Sequence, residues 1–348
     1  MKFSRNQLNR AGDNLIGQDP FLRNEAIKII SEWRESYLPI LRELNDNITN
    51  YLNSLNICYE FTSQRIKRMT SISEKLRNNI DKDMKLGGLQ DIGGIRYVFA
   101  DIKTLNEFDN KLQEHTFNGF EFKKRYDYVS YPKNSGYRSI HYVYKYNSDN
   151  KEYDGLQLEL QIRTRLQHSW AMAVETASLI SQTSLKANIE DNNVWRNFFK
   201  LVGAIFSKKE KQTVHSDFDR LSEEELCNMF FTYTQEHKLL EQLKVLRTTI
   251  NQNIDTLKNG YCVLIVDFSR RIVNIRVYRE NEETQASQIF TEIENTITAN
   301  EAALMVSIEK MQEIKKAYPS YFLDTNEFLN ALEDFEDKCN VLIKSIKV

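Results

Sequence analysis

The sequence predicts an α+β fold, a mixed β-sheet flanked by helices and followed by a smaller C-terminal α+β domain. Three observations carry that expectation: a helical period over residues 24–55, short β-branched and aromatic runs between residues 95 and 163, and a return to helical patterning from residue 167.

Ile27, Ile30, Trp33, Leu38, Leu41 and Leu44 recur at helical spacing, interrupted at Pro39, so residues 24–55 read as helices. Residues 71–84 read as a further helix. Residues 95–100, 123–128, 139–146 and 156–163 are bounded by Gly, Asn and Asp and read as strands of one sheet. Helices over 167–180 and 194–205 then close a first domain, residues 1–206. Residues 207–216 carry KKEKQ without an apolar period and read as a linker into a second domain, residues 207–348. In it, 223–257 is helical in pattern, 261–268 and 272–278 are strands across a turn at 269–271, 286–317 returns to helix, and 326–346 is a last helix.

Lys+Arg 47 against Asp+Glu 49 leave a formal net charge of -2, which argues against a protein that grips long duplex nucleic acid through its overall charge. Cys58, Cys227, Cys262 and Cys339 stand far apart without a C-x-x-C pair, so neither zinc nor a disulfide framework is expected. A cytoplasmic protein is the expectation. No apolar run is long enough to cross a bilayer, and no membrane partner is expected.

The chemistry-bearing residues fall into four segments. In DIGGIRYVFAD, Asp91 precedes paired glycines and a strand that sets Arg96 opposite in facing to Ile95 and Tyr97. A carboxylate at a strand mouth suits a hard ligand for nucleotide-bound magnesium, although a polar turn explains Asp-Ile-Gly-Gly as well. In LQLELQIR, Gln157, Glu159, Gln161 and Arg163 share one face, which is either solvent-exposed or catalytic. Phosphoryl transfer needs metal-binding carboxylates and a base near the attacking hydroxyl, and Glu159 is the candidate for the base and a second metal ligand. YPKNSGYRSIH supplies Lys133, Tyr137, Arg138 and His141 from a loop, with Tyr137 able to stack on a nucleobase. SQRIKRMTSISEK gathers Arg65, Lys67, Arg68 and Lys75 before and within a helix start, where a polyphosphate or plain solvent would satisfy them.

Taken together, RIKR…SISEK, DIGGIR, YPKNSGYRSIH, ELQIRT and WAMAVE resemble, in order and rough spacing, the RelA/SpoT alarmone synthetase domain over about residues 63–175. The resemblance implies a pyrophosphokinase in which Arg65, Lys67, Lys75 and Arg96 hold ATP, while Asp91 and Glu159 serve magnesium and base catalysis. It further implies that Tyr137 stacks the acceptor base, with Lys133, Arg138, His141, Gln161 and Arg163 completing the acceptor pocket. The acceptor hydroxyl would attack the β-phosphate of ATP and release AMP. No metal-binding HD pattern is present, so alarmone hydrolysis is not expected.

Within that family, small alarmone synthetases use GDP or GTP, and toxic members use the 3′ hydroxyl of the tRNA acceptor end. Tyr318 and Tyr321, in KKAYPSYFLDT, resemble the Y-x-x-Y element of the fused antitoxin domain in CapRel-type defence proteins. That resemblance implies a single-chain toxin–antitoxin whose C-terminal domain blocks the ATP site until a phage protein releases it, and a monomer is the expectation.

Overall fold

A computed structural model describes residues 2–79, 84–181, 194–236, 239–240, 261–267, 272–296, 301–307 and 326–346. The chain divides into two compact units, one of Met1–Ser130 with Arg138–Arg165, the other of Tyr131–Tyr137 with Leu166–Val348.

The first unit opens on three helices, α1 (Arg5–Ile16), α2 (Pro20–Glu35) and α3 (Tyr37–Ser54). Their starts are written locally. Ser4 and Gln7 form a reciprocal capping box on α1, and Asp19 with Pro20 begins α2. The break between α2 and α3 falls at Ser36, so Pro39 sits in the first turn of α3, where a missing N–H costs nothing. Next come β1 (Phe61–Ile66), α4 (Met69–Arg77), β2 (Gly93–Phe99), α5 (Ile102–Gln113), β3 (Phe120–Asp127), β4 (Ile140–Tyr146) and β5 (Gln157–Thr164).

The strands form one mixed sheet in the order β1-β2-β5-β4-β3, with β2 and β5 parallel and the other neighbours antiparallel. Alternation sorts their side chains. Ile95, Tyr97, Tyr142, Tyr144, Leu158, Leu160 and Ile162 are buried in one core with Trp33, Tyr37, Leu41, Leu44 and Phe108 from the helices. At roughly 1.5–3 kcal/mol for each large apolar side chain buried, this layer dominates the stability of the unit. The opposite face of the sheet is polar.

Gly93 is held to its identity by that core. A Cβ there would lie 2.6 Å from Tyr37 Cδ1 and 2.8 Å from Leu158 Cδ2, whereas one on Gly94 would meet nothing nearer than 3.7 Å. Gly93→Ala is therefore expected to cost about 1–3 kcal/mol through overpacking, and Gly94→Ala to leave the melting temperature within a degree or two. Thermal melting of both variants distinguishes the two roles. Equal losses would contradict them.

The second unit contains α6 (Arg165–Ser181), α7 (Val194–Lys209) and α8 (Glu223–Phe231), then β6 (Tyr261–Asp267), β7 (Ile272–Tyr278), α9 (Glu283–Thr296), β8 (Glu301–Ser307) and α10 (Asn326–Ile346). Trp170, Phe198, Phe199, Phe206, Phe230, Phe328 and Leu332 bury one another between α6, α7, α8 and α10. The helices expected to close a domain at residue 206 thus share a core with the C-terminal helices, and a cut at 206 would pass through it. The basic stretch read as the start of a linker is likewise tied down, because Lys208 and Lys209 end α7: Lys208 Nζ donates to Leu221 O at 2.6 Å and Lys209 meets Asp334 at 3.3 Å, while Lys200, earlier in the same helix, pairs with Asp217.

Two further expectations need correction. Residues 301–307 are strand, not helix: EAALMVS is rich in helix formers, but β8 pairs antiparallel with β6 along its whole length in a sheet ordered β7-β6-β8. Cys227 and Cys339 form a disulfide, with Cα atoms 5.4 Å apart, although 112 positions separate them. Packing of α8 beside α10 brings the two sulfurs together, which linear spacing conceals. Among the described residues, no helix is long and apolar enough to cross a membrane.

Candidate active site

The polar face of the five-stranded sheet is built by register. Ser63, Arg96, Gln161, His141 and Tyr126 lie directly opposite one another across β1, β2, β5, β4 and β3. A second row, two residues along each strand, holds Arg65, Gly94, Glu159, Val143 and Lys124. Four inter-strand gaps give each row a span of about 19 Å, the scale of two nucleotides rather than one. Glu159, on the middle strand, sits at its centre.

Glu159 is fixed from both sides. Its Oε1 is 2.8 Å from His141 Nδ1, and its Oε2 accepts from Gln161 Nε2 at 2.6 Å. Gln161 Oε1 in turn accepts from Arg163 Nη2 at 2.6 Å, and Arg163 Nε donates to Ser139 Oγ at 3.3 Å. Burial pushes the Glu159 carboxyl up, but His141, Gln161 and Arg65 together hold it well below the usual carboxylate range. Glu159 is therefore ionised at neutral pH. With the carboxylate accepting, His141 Nδ1 carries the proton of their shared hydrogen bond.

Asp91 stands just before β2, where its Oδ2 accepts from Lys67 Nζ at 3.0 Å and Lys75 Nζ at 2.9 Å. Burial raises its proton affinity, Lys67 and Lys75 lower it further than burial raises it, and nearby Glu159 opposes them, leaving the carboxyl below its ordinary value. Burial also draws the Lys67 ammonium below its ordinary value, despite Asp91 beside it. Asp91 Oδ1 is buried without a hydrogen-bond partner among the described residues. An orphaned carboxylate oxygen, near a second carboxylate and lysines, fits a hard cation that takes its remaining ligands from phosphate and water. No group of three or more metal-ligating side chains occurs among the described residues, so Asp91 and Glu159 would share such an ion with its nucleotide.

The structure thus brings together Arg65, Lys67, Lys75, Asp91, Arg96, His141, Glu159, Gln161 and Arg163 in the first unit. Arg65 reaches the site from β1 and not from a helix start, because SQRI pairs antiparallel with β2. A shallow depression beside it is lined by Ser63, Arg65, Gly94, Arg96 and Gln161. Ser63 was not a candidate from sequence, and only the pairing of β1 with β2 reveals it. Arg138 is buried just ahead of β4 and is not part of either row.

Lys133 and Tyr137 belong to the second unit. There the Lys133 ammonium lies 5.3 Å from the centre of the Tyr137 ring, which meets Trp170 edge-on at 6.2 Å. Their loop rests on α7: Gly136 has φ +85, and a Cβ on Gly203 would fall 2.6 Å from Gly136 O. Tyr318 and Tyr321 lie outside the described residues.

Residues 64–180 match the family described as "Region found in RelA / SpoT proteins". The GTP pyrophosphokinase YwaC of Bacillus subtilis (strain 168) is 34% identical over 119 residues, covering 32% of this chain and 54% of that protein. The GTP pyrophosphokinase YjbM of the same organism is 30% identical over 113 residues, covering 32% and 53%. The chain spans about half the length of these curated relatives. Among solved structures, a GTP pyrophosphokinase family protein from Streptococcus pneumoniae superposes with a TM-score of 0.42 at 24% identity, over 52% of this chain and 89% of that one. The small alarmone synthetase 2 of Bacillus subtilis superposes with a TM-score of 0.43 at 23% identity, over 52% and 94%.

Proposed function

We propose that the polar sheet face catalyses transfer of a pyrophosphate group from ATP to a ribose hydroxyl, the acceptor being the 3′ end of tRNA. The observation that carries the reading is the central, ionised Glu159, flanked by phosphate-binding cations toward β1 and by His141 toward β3.

In this reading Arg65, Lys67, Lys75 and Arg96 neutralise the triphosphate at one end of the rows. Magnesium held by Asp91 and Glu159 would offset charge developing on the transferred group. The acceptor oxygen forms a bond to the β-phosphorus, the bond from the β-phosphorus to the α-bridging oxygen breaks, and AMP departs with that oxygen. The hydroxyl proton passes to the His141–Glu159 pair, whose shared hydrogen bond orients the acceptor of that proton. Tyr137, with Lys133 over its ring, is proposed to stack on the acceptor base, and Arg138 is proposed as a further acceptor-binding residue.

The second unit is proposed as an autoinhibitory antitoxin, acting through Tyr318 and Tyr321 and released by a phage protein during defence. A guanine nucleotide as acceptor is the second reading, favoured by the names of the curated relatives.

Full-length chain and its Tyr318→Ala/Tyr321→Ala variant, given γ-labelled ATP with bulk tRNA or with GDP and GTP, separate these readings. Label on tRNA, rising at least tenfold in the double variant, is expected. Transfer only to guanine nucleotides would replace the acceptor, and transfer to neither by either protein would contradict the proposed activity.

A further inference from the structure

Three side chains on the edge strand continue the active-site rows and have no part in the chemistry above. Lys124, Tyr126 and Tyr128 alternate along β3 and its extension, all on the face that carries His141 and Glu159. The Tyr126 and Tyr128 rings lie parallel within 12°, their centres 5.9 Å apart. Tyr128 meets the His141 ring edge-on at 5.2 Å, and the Lys124 ammonium lies 4.6 Å from the centre of Tyr126. Both tyrosines are half-buried and Lys124 is exposed.

Tyrosines on a sheet's outer strand commonly brace cross-strand neighbours. Here the opposing residues of β4 are His141 and Val143, and on this face the rings extend a charged row, not an apolar core. The charge on the face is lopsided. Among the described residues of this face, Arg65, Lys67, Lys75, Arg96, Lys124 and Arg163 surround two carboxylates, Asp91 and Glu159, although the whole chain carries a net charge of -2. Aromatic rings on a sheet face beside cations are the means by which sheet surfaces take successive bases of single-stranded RNA, and here the cation lies over Tyr126.

We infer that Lys124, Tyr126 and Tyr128 form a binding site for the unpaired nucleotides that precede the reacting end of an RNA acceptor. It deepens the acceptor reading proposed above and rests on it. Tyr126 lies two strands, roughly 10 Å, from the strand of Glu159, so a hydroxyl at Glu159 leaves the preceding bases within reach of the tyrosines. A mononucleotide spans about that distance with its single base and has no second base for the pair of rings, whereas an RNA end can occupy both. The site therefore selects a polynucleotide end over GDP or GTP without excluding either from the catalytic centre.

The test is fluorescence anisotropy of a short single-stranded RNA ending in CCA, bound by the full chain, compared with Tyr126→Ala/Tyr128→Ala, Tyr126→Phe/Tyr128→Phe and Lys124→Glu. The alanine pair is expected to weaken RNA binding at least tenfold and the phenylalanine pair to stay within threefold of wild type. Lys124→Glu, at an exposed position, is expected to weaken binding several-fold and to reduce the salt slope by roughly 0.7. Should the alanine pair melt early, Lys124→Glu alone decides. RNA affinity unaltered by both substitutions, or an RNA that wild type does not bind, would overturn the inference. If RNA binds as expected and no label reaches tRNA, the proposed reaction fails and the binding site stands.

Discussion

Glu159→Gln is expected to lower pyrophosphate transfer by roughly 10²–10⁴-fold while leaving the fold intact. The amide keeps the shape and can still accept from His141 Nδ1, now 2.8 Å from Oε1, but removes the negative charge at the centre of the rows. Its amide group must also face Gln161 Nε2, the present donor to Oε2, so one hydrogen bond is lost unless Gln161 turns. The variant should differ from wild type in acid stability. The folded carboxyl lies below its ordinary value of 4.5, so ionised Glu159 stabilises the fold above about pH 4.5, a contribution lost as pH falls through the depressed value. Wild type should therefore lose stability more steeply than the variant between about pH 5 and pH 3 in urea titrations. Parallel curves would mean that Glu159 is not held in the ionised form by its neighbours.

Asp91→Ala is expected to reduce transfer by at least 10²-fold and, unlike Glu159→Gln, to destabilise the first unit by about 2 kcal/mol. The side chains of Lys67 and Lys75 are 14% and 32% exposed, so removing Asp91 leaves two ammonium groups close together with little water to screen them. Lys67, already drawn below its ordinary value by burial, would fall further. Asp91→Asn would spare the shape but still lose the charge. Thermal melting against transfer rate distinguishes the two effects. If Asp91→Ala melts with wild type, the lysines have another counter-charge; if it transfers at the wild-type rate, the orphaned Oδ1 holds nothing needed for catalysis.

Much of the site was legible because strand alternation is visible in sequence. LQLELQIR alternates so regularly that the face of Glu159, Gln161 and Arg163 follows from spacing alone, and β4 and β5 lie within a residue of their expected bounds. The segment preceding it was harder. Phe61–Ile66 alternates weakly and carries Gln and Arg, so nothing local marks it as a strand; pairing with β2 makes it one and turns Arg65 into a row residue. Neither α1 nor α5 was among the expected helices: α1 shows a sparse apolar stripe of Leu8, Ala11 and Leu15, and its Ser4–Gln7 capping box is the local signal that marks its start. The origin of α5 at Asp101, which caps Thr104 N at 2.8 Å, was equally local. By contrast, the Cys227–Cys339 bond and the seat of the Gly136 loop on Gly203 depend on helix packing that no window of sequence contains.

The glycine pair shows how a motif can mislead in detail. Paired glycines after Asp91 suggest room for a ligand along both residues, but Gly93 accommodates Tyr37 and Leu158 from the core side, and only Gly94 borders the polar face between Arg65 and Glu159. Sequence gives the two residues one role. Their opposite facings in β2 divide it.

The most direct measurement is the stoichiometry of a single transfer, using ATP labelled in both the adenine ring and the γ-phosphate with the Tyr318→Ala/Tyr321→Ala full-length variant and an excess of acceptor. One AMP released for each γ-label joined to the acceptor is the expected result, and Glu159→Gln should produce neither. ADP in place of AMP, or AMP released without label on any acceptor, would contradict a pyrophosphate-transferring site on this sheet face.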